Sequence, residues 1–312
     1  MTERPNETVS PIRALHVVWA VDPTEKNDGA LQRRARQVLR RLASDSPECS
    51  VQPIYVFRLS TAITLDLGRG YREDLTEAAS SELRAFVDHA QIPGLLPPKV
   101  LVCPSSAYSR AVETLTDYAE KTGADLIVAQ THGRSGLGRL VLGSFAETLI
   151  VSSSVPVVLV NPRARVEDHL DRILFPTDFG PDSADQFRDA LALARRFGAR
   201  LTLFHSLEAD LERIALYAIP WPLTVLPDRR EEIRAHVEKH ARHWVDVARK
   251  SGVEMDTLIR ERKRNAGEEI VRAARSTNSR LIAIRTNTGA VGAALLGSHT
   301  RTVVRKAPCP VW

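Results

Sequence analysis

The sequence is poor in the residues and patterns that announce most kinds of chemistry. It contains 3 cysteines, Cys49, Cys103 and Cys309. They are odd in number, far apart and in no CxxC pair, so neither a disulfide framework nor a cysteine-based zinc site is indicated. Cysteine used this way points to a reducing cytoplasm. No run of about 20 apolar residues occurs, and the first eleven residues are polar rather than a charged start followed by an apolar stretch, which argues against a membrane span and a secretory signal. GxxxxGK[ST] loops, GxSxG elbows, HExxH helices and a GxGxxG opening a helix after the first strand are all missing, so no dedicated catalytic activity is expected. His132, next to Gly133, is a lone histidine in a loop and reads as solvated. Charge of one sign is barely in excess, with 43 Lys and Arg against 38 Asp and Glu. Its clearest cluster lies in Ala30–Ala43, where Leu31, Ala35, Val38, Leu39 and Leu42 recur at helical spacing and Arg33, Arg34, Arg36, Arg40 and Arg41 take the remaining surface. That is a solvated helix face. Without interleaved aromatics or a reading helix it implies no specific nucleic-acid partner.

What the chain does contain is apolar material for a core, 43% of its residues, and a length of 312 residues, about twice an ordinary domain. It also contains itself twice. HVVWAVDPTE, from His16, is an apolar strand ending in Asp22, and RILFPTDFGPDS, from Arg172, is another ending in Asp178. ADLIVAQTHGRSGLGRLVLGS, from Ala124, matches SRLIAIRTNTGAVGAALLGS, from Ser279. Asp178 follows Asp22 by 156 residues and Gly297 follows Gly143 by 154, so two tandem copies joined near Asn161–Asp171 describe the chain better than one large domain. The divisions expected are a flexible tail over 1–11, a first domain over 12–164 and a second over 165–312.

Within each copy short apolar strands alternate with amphipathic helices. The first reads as strand Gln52–Phe57, helix Glu73–His89, strand Lys99–Val102, helix Arg110–Lys121, strand Leu126–Ala129 and a last strand Val155–Val160. The second reads as strand Arg172–Pro176, helix Asp182–Phe197 closed by Gly198, strand Arg200–His205, helix Asp228–Ser251, strand Met255–Arg260, helix Ala266–Arg275 and strand Arg280–Ile284. This order predicts an α/β fold, two doubly wound domains, each a mainly parallel five-stranded sheet with helices on both faces. Ligands of such sheets sit at the carboxyl ends of the strands, near the topological switch point. Asp22 and Asp178 fall at the end of the first strand of each copy, and the glycine-rich segments fall at the end of the fourth. A carboxylate there can accept from an adenine amino group or a ribose hydroxyl, and glycines at a helix start let backbone N–H groups approach phosphate. The same residues also serve as ordinary N-caps and turns.

At these residues the chain resembles the universal stress protein family, whose signature is a glycine at the end of the fourth strand, two residues, a second glycine, nine residues, then Gly followed by Ser or Thr. TDFGPDS, THGRSGLGRLVLGS and APCPV carry the resemblance. It implies small doubly wound domains, often paired through their fifth strands, one branch of the family binding ATP or AMP and another not. Carried over to the first copy, it places Ala20, Asp22 and Val56 on the base and ribose side, and Gly133 with Gly143 and Ser144 on the phosphate side. Gln130 stands where the first signature glycine belongs and would take up space or offer an amide donor. In the second copy Pro176, Thr177 and Asp178 match the base side, and Gly297, Ser298 and Thr300 the phosphate side. Its loop is one residue shorter, with Arg285 at the first glycine and the second at Asn287 or displaced to Gly289. Arg285 would either contact an anion or plug the pocket through a salt bridge.

The resemblance thus implies a cytoplasmic stress-response regulator binding ATP or AMP, more in the first domain than the second, requiring no metal and passing occupancy to an unidentified regulatory protein. Its halves are expected to pair as an intramolecular pseudo-dimer, and the fold also allows a homodimer. Because the second copy reaches Pro310, Val311 and Trp312 where the first has a full strand, its fifth strand is expected to be clipped and the junction asymmetric. Two other readings stand beside this one. Gln130 and Arg285 suit a scaffold, or a binder of apolar ligands, with degenerate nucleotide pockets; the apolar segment Arg213–Pro227 would then be a lid or a partner-facing loop. His236, His240 and His243 lie on one side of a helix and are the candidate metal ligands, or a polar border to its apolar stripe.

Overall fold

The computed structural model describes residues 14–24, 29–46, 48–59, 68–131, 142–167, 169–180, 182–207, 229–261, 265–285 and 297–312. In the first half β1 (His16–Ala20), α1 (Gly29–Ser44), β2 (Ser50–Arg58), α2 (Gly68–Val87), β3 (Lys99–Cys103), α3 (Tyr108–Lys121), β4 (Leu126–Gln130), α4 (Ser144–Ser152) and β5 (Val157–Val160) follow one another. The second half runs through β6 (Arg172–Pro176), α5 (Ser183–Phe197), β7 (Arg200–Ser206), α6 (Arg229–Lys250), β8 (Met255–Arg260), α7 (Ala266–Ser276), β9 (Leu281–Ile282) and α8 (Ser298–Lys306). The strands pair in the orders β3-β2-β1-β4-β5 and β8-β7-β6-β9. Every pair within the two sheets is parallel. The chain therefore reverses its direction of winding at β1/β4 in the first half and at β6/β9 in the second.

Several local features differ from the sequence expectation. The second sheet has four strands rather than five, and β9 covers only Leu281–Ile282. The N–H groups alternate as in any strand, Ala283 donating to Leu174 O at 2.8 Å and Ile282 and Ile284 to Pro310 O and Trp312 O at 3.1 and 2.8 Å, so the place of a fifth strand is taken by the short segment 310–312, which pairs through Val311 alone. β5 starts at Val157 instead of Val155, because Pro156 offers no N–H and the Val155 carbonyl is taken by Ser153 Oγ at 2.6 Å. α2 starts five residues before Glu73, a stretch where two glycines hide its helical pattern. α5 ends as expected at Gly198, whose φ of 57° suits glycine.

One segment joins the two sheets. Val311 bridges Leu159 of β5 in antiparallel sense, with N–H to O bonds of 2.7 and 3.0 Å in the two directions, and bridges Ile282 of β9 in parallel. The junction is asymmetric: the first half presents a four-residue strand and the second a single bridging residue. On one face of this joined sheet, a continuous core takes in α3 and α4 from the first half and α7 and α8 from the second, with Leu149, Leu159, Ile282, Val303 and Val311 buried at its centre. On the other face α1 with α2, and α5 with α6, cover separate cores, and Phe197 and Trp312 pack against both. Burial of each such large side chain contributes about 1.5–3 kcal/mol. The halves thus share apolar burial as well as a hydrogen-bonded edge.

The junction also carries a charge pair that marks its pseudo-symmetry. Glu147 lies four residues after Gly143, and Arg301 four after Gly297, so the two hold equivalent positions on α4 and α8; Arg301 Nη2 meets Glu147 Oε1 at 2.5 Å. Equivalent positions touch only near a twofold axis. Two identical copies would set like charges against each other there, whereas the tandem chain sets opposite ones. Both side chains are partly exposed, so the pair is worth at most about 1 kcal/mol. Glu147→Arg and Arg301→Glu are each expected to lower the melting temperature by about 2 °C, and the double exchange to restore it. Calorimetric scans of the three variants check this, and a double exchange no better than the single ones contradicts it.

Candidate functional site

β1 and β4 are neighbours in register, with Val17, Val18 and Trp19 opposite Leu126, Ile127 and Val128, so their carboxyl ends emerge side by side about 5 Å apart. At the first of these ends Val21 donates to Ile54 O at 2.9 Å and holds the chain against β2 before it leaves the sheet. Asp22 follows. Its Oδ1 accepts from Thr24 N–H at 3.0 Å and from Thr24 Oγ1 at 2.6 Å, an Asx-type turn that fixes the carboxylate. At the second end Thr131 is fully buried, and its carbonyl accepts from Gly143 N–H at 2.8 Å, which ties the start of α4 to the end of β4.

Ala20 and Val56 are partly buried and pack on the core face shared with α4, as does the fully buried Ala129. Strand alternation turns Gln130 the other way, to the α1 side with Val128 and Val160. The fold therefore brings Ala20, Val56 and the Gly143–Ser144 helix start together on one face, beside the Asp22 turn, and leaves Gln130 across the sheet. Gly143, in extended conformation with φ −68° and ψ 145°, caps α4 without any side-chain hydrogen bond. Asn265, in contrast, caps α7 with its own Oδ1. The N-terminus of α4 thus presents amide donors and the positive end of the helix dipole to whatever binds there. Gly133 and His132 lie outside the described residues.

The second half is built from equivalent residues but is more occupied. Pro176 and Thr177 are buried at the end of β6. Thr177 donates its N–H to Phe204 O at 3.0 Å, and its Oγ1 accepts from Phe179 N–H at 3.1 Å. Its carbonyl accepts from Nδ1 of the buried His205 at 2.8 Å, a contact that assigns the proton to that nitrogen. Asp178 Oδ1 accepts from Gly180 N–H at 2.9 Å and Ser183 Oγ at 3.2 Å. Phe179 has a positive φ of 52°. Its ring lies 5.1 Å from His205, 5.8 Å from His240 and 4.9 Å from Trp244. Gly297 and Ser298 are exposed at the start of α8, again without a side-chain cap, and Thr300 is buried. Arg285 is exposed and forms no ion pair among the described residues, so the salt-bridged plug is not seen there. Asn287, Gly289 and 213–227 lie outside the described residues.

The aromatic and histidine cluster around Phe179 is the part of this region that sequence reasoning missed. Its only signal is an aromatic residue inside a turn, between Asp178 and Gly180. His236 and His240 stand 4.5 Å apart, ring to ring, and burial, followed by the charges of His236, Lys239 and His243, lowers the pKa of His240. Among the described residues no group of three His, Cys, Asp or Glu side chains is placed to hold a metal ion, and no helix is long and apolar enough to cross a membrane. Cys49, Cys103 and Cys309 are free thiols in buried positions. Burial pushes the Cys49 thiol up to about 11 and that of Cys309 higher still, which makes both poor nucleophiles.

Known proteins share this arrangement. The universal stress protein family matches residues 14–161 and again 169–312. A universal stress protein of Methanocaldococcus jannaschii is 48% identical over 46 residues, a stretch that is 15% of this chain and 27% of that protein. Among solved structures, a universal stress protein from Archaeoglobus fulgidus superposes with a TM-score of 0.60 at 16% identity, covering 95% of this chain and 94% of that one. A putative universal stress protein from Pseudomonas aeruginosa gives 0.56 at 17%, covering 96% and 91%. At such identities the structural likeness speaks for the fold, while the family match spans both repeats. The chain belongs to the universal stress protein family, as a tandem member whose two domains pair within one chain.

Proposed function

We propose that this protein binds an adenine nucleotide, ATP or AMP, at the strand-end site of its first half and acts through binding rather than turnover. The observation that carries the reading is the uncapped start of α4 at Gly143–Ser144, held beside the β1 end on the same face as Ala20 and Val56. Amide donors and a helix dipole suit a phosphate, the small side chains Ala20 and Val56 leave apolar surface for a base, and the fixed Asp22 carboxylate is an acceptor for a ribose hydroxyl. The second half is the weaker candidate, because the Thr177 backbone groups and hydroxyl are engaged internally and Phe179 packs into its own domain.

Signal transfer follows from the same helix. Glu147 lies one turn from Gly143 and pairs with Arg301 of the second half, so an anion held at the start of α4 changes the field at the junction. Occupancy would then alter how the halves sit against each other and what surface they show a regulatory partner.

Calorimetric titration of the full chain with ATP tests the proposal. Saturable binding of one nucleotide is expected, weakened about tenfold or more by Asp22→Ala and left unchanged by Asp178→Ala. Absence of saturation, or equal loss in the two variants, overturns it.

A further inference from the structure

Where the joined sheet opens beyond Leu159 and Val311, the halves line an open cleft of about 400 Å³. That is within the range of about 300–1,000 Å³ found for small-molecule sites. Its floor is the Leu159–Val311 bridge together with the bonds Trp312 N–H to Ile282 O and Ile284 N–H to Trp312 O, both 2.8 Å. Both halves and both faces of the sheet contribute walls. Val151, Val157 and Leu159 come from the first half and Val304 and Trp312 from the second, so each half gives the cleft an apolar wall. Six polar side chains interrupt it: the charged Arg285 past the end of β9 and Asp189 on α5, and the neutral Ser153, Ser154, Gln186 and Thr300.

We infer that this cleft is a ligand site separate from the strand-end site of the first half, and that it takes a monocarboxylate on an apolar body, of the kind a medium-chain fatty acid represents. Arg285 supplies the recognition. Strand alternation after Ile282 turns Ala283 to the α5 side and Arg285 after it, and Arg285, exposed at the cavity's edge, lines it without an ion pair among the described residues. A carboxylate matches a guanidinium with two parallel hydrogen bonds, whereas a neutral hydrocarbon leaves it unmet. Asp189 on the same rim sets the charge limit. Its carboxylate repels a dianionic phosphate more than a singly charged carboxylate. The aliphatic wall then rewards an apolar body at about 25 cal/mol per Å² removed from water. Arg285 and Thr300 also hold signature positions of the second copy, so the cleft overlaps the weaker strand-end candidate of the second half and not the site of the first.

Decanoate titrated into the full chain by calorimetry, below its micellar range, is the test. One saturable site is expected, with decanol and decyl phosphate each binding at least about tenfold more weakly than decanoate. Arg285→Glu, at an exposed position where the fold has little at stake, should weaken decanoate about tenfold or more, and Asp189→Asn should narrow the gap between decanoate and decyl phosphate. Saturating ATP should leave decanoate affinity within about twofold, because the two sites are distinct. The inference is overturned by absence of decanoate binding, by decanol binding as well as decanoate, by an Arg285→Glu variant that binds normally, or by competition from ATP. Failure of ATP itself to bind leaves the decanoate result readable, so the two proposals fall separately.

Discussion

Gly94→Ala is expected to destabilise the fold by about 3 kcal/mol or more. Two costs add at this position. Gly94 holds a φ of 67°, where an L side chain costs about 1–2 kcal/mol, and a Cβ added there would lie 1.9 Å from the carbonyl oxygen of Cys49. The clash is with backbone, so no rotamer change relieves it, and forcing the two segments apart adds about 1–3 kcal/mol in the manner of an overpacked core. Separation also breaks something. Gly94 O accepts from Val51 N–H at 2.9 Å, and Leu96 N–H donates to Val51 O at 2.8 Å, so this turn closes the entry to β2, an inner strand of the first sheet. Gly123→Ala is the internal control: its φ of 66° is nearly the same, but a Cβ added there meets nothing within 4 Å, so only the conformational cost applies. Urea unfolding of both variants separates the terms, with the Gly94 variant at the lower midpoint and an unchanged slope. Equal midpoints contradict the argument.

The repeat made most of this fold legible in the sequence. Matched apolar strands ending in Asp22 and Asp178, and matched segments ending in Gly143–Ser144 and Gly297–Ser298, mark the switch points by their spacing alone. Other features depend on contacts between segments far apart in the chain. Nothing in the pattern of Arg280–Ile284 says that its free edge is met by the segment 310–312 rather than by a full fifth strand. Phe179 belongs to a turn that matches the family closely, but its packing on His205, His240 and Trp244 requires two other elements to arrive beside it. Gln130 was legible as a departure from the signature; the side of the sheet it occupies follows by alternation once the structure shows Ala129 packed on the α4 core. The equivalence of Glu147 and Arg301 could be counted from the repeat, whereas their contact needed the junction.

Val311→Asp is expected to separate the halves and replace cooperative melting by two transitions. Val311 is 3% exposed and lies in the core shared by both halves, with Leu159 on one side and Ile282 on the other. Losing the valine side chain forfeits about 1.5–3 kcal/mol of burial, and an unpaired carboxylate there adds a desolvation cost of several kcal/mol, a large part of a total stability of about 5–15 kcal/mol. The chain can avoid that cost by letting the 310–312 segment leave the sheet. The two halves then lose different things. The first keeps a five-stranded sheet complete from β3 to β5 with its own helices on both faces. The second keeps four strands and exposes β9, a two-residue strand that gives up its bonds to Pro310 and Trp312 on one side. The lower transition should therefore belong to the second half. Calorimetric scans show the split, and limited proteolysis between the transitions should cleave the second half while sparing the first. Val311→Ile, which keeps the apolar contact and both backbone bonds, should melt as a single unit near the parent temperature. A single transition at the parent temperature for Val311→Asp would mean that the junction contributes little to cohesion, and that the halves are held together by the outer contacts of Phe197 and Trp312 instead.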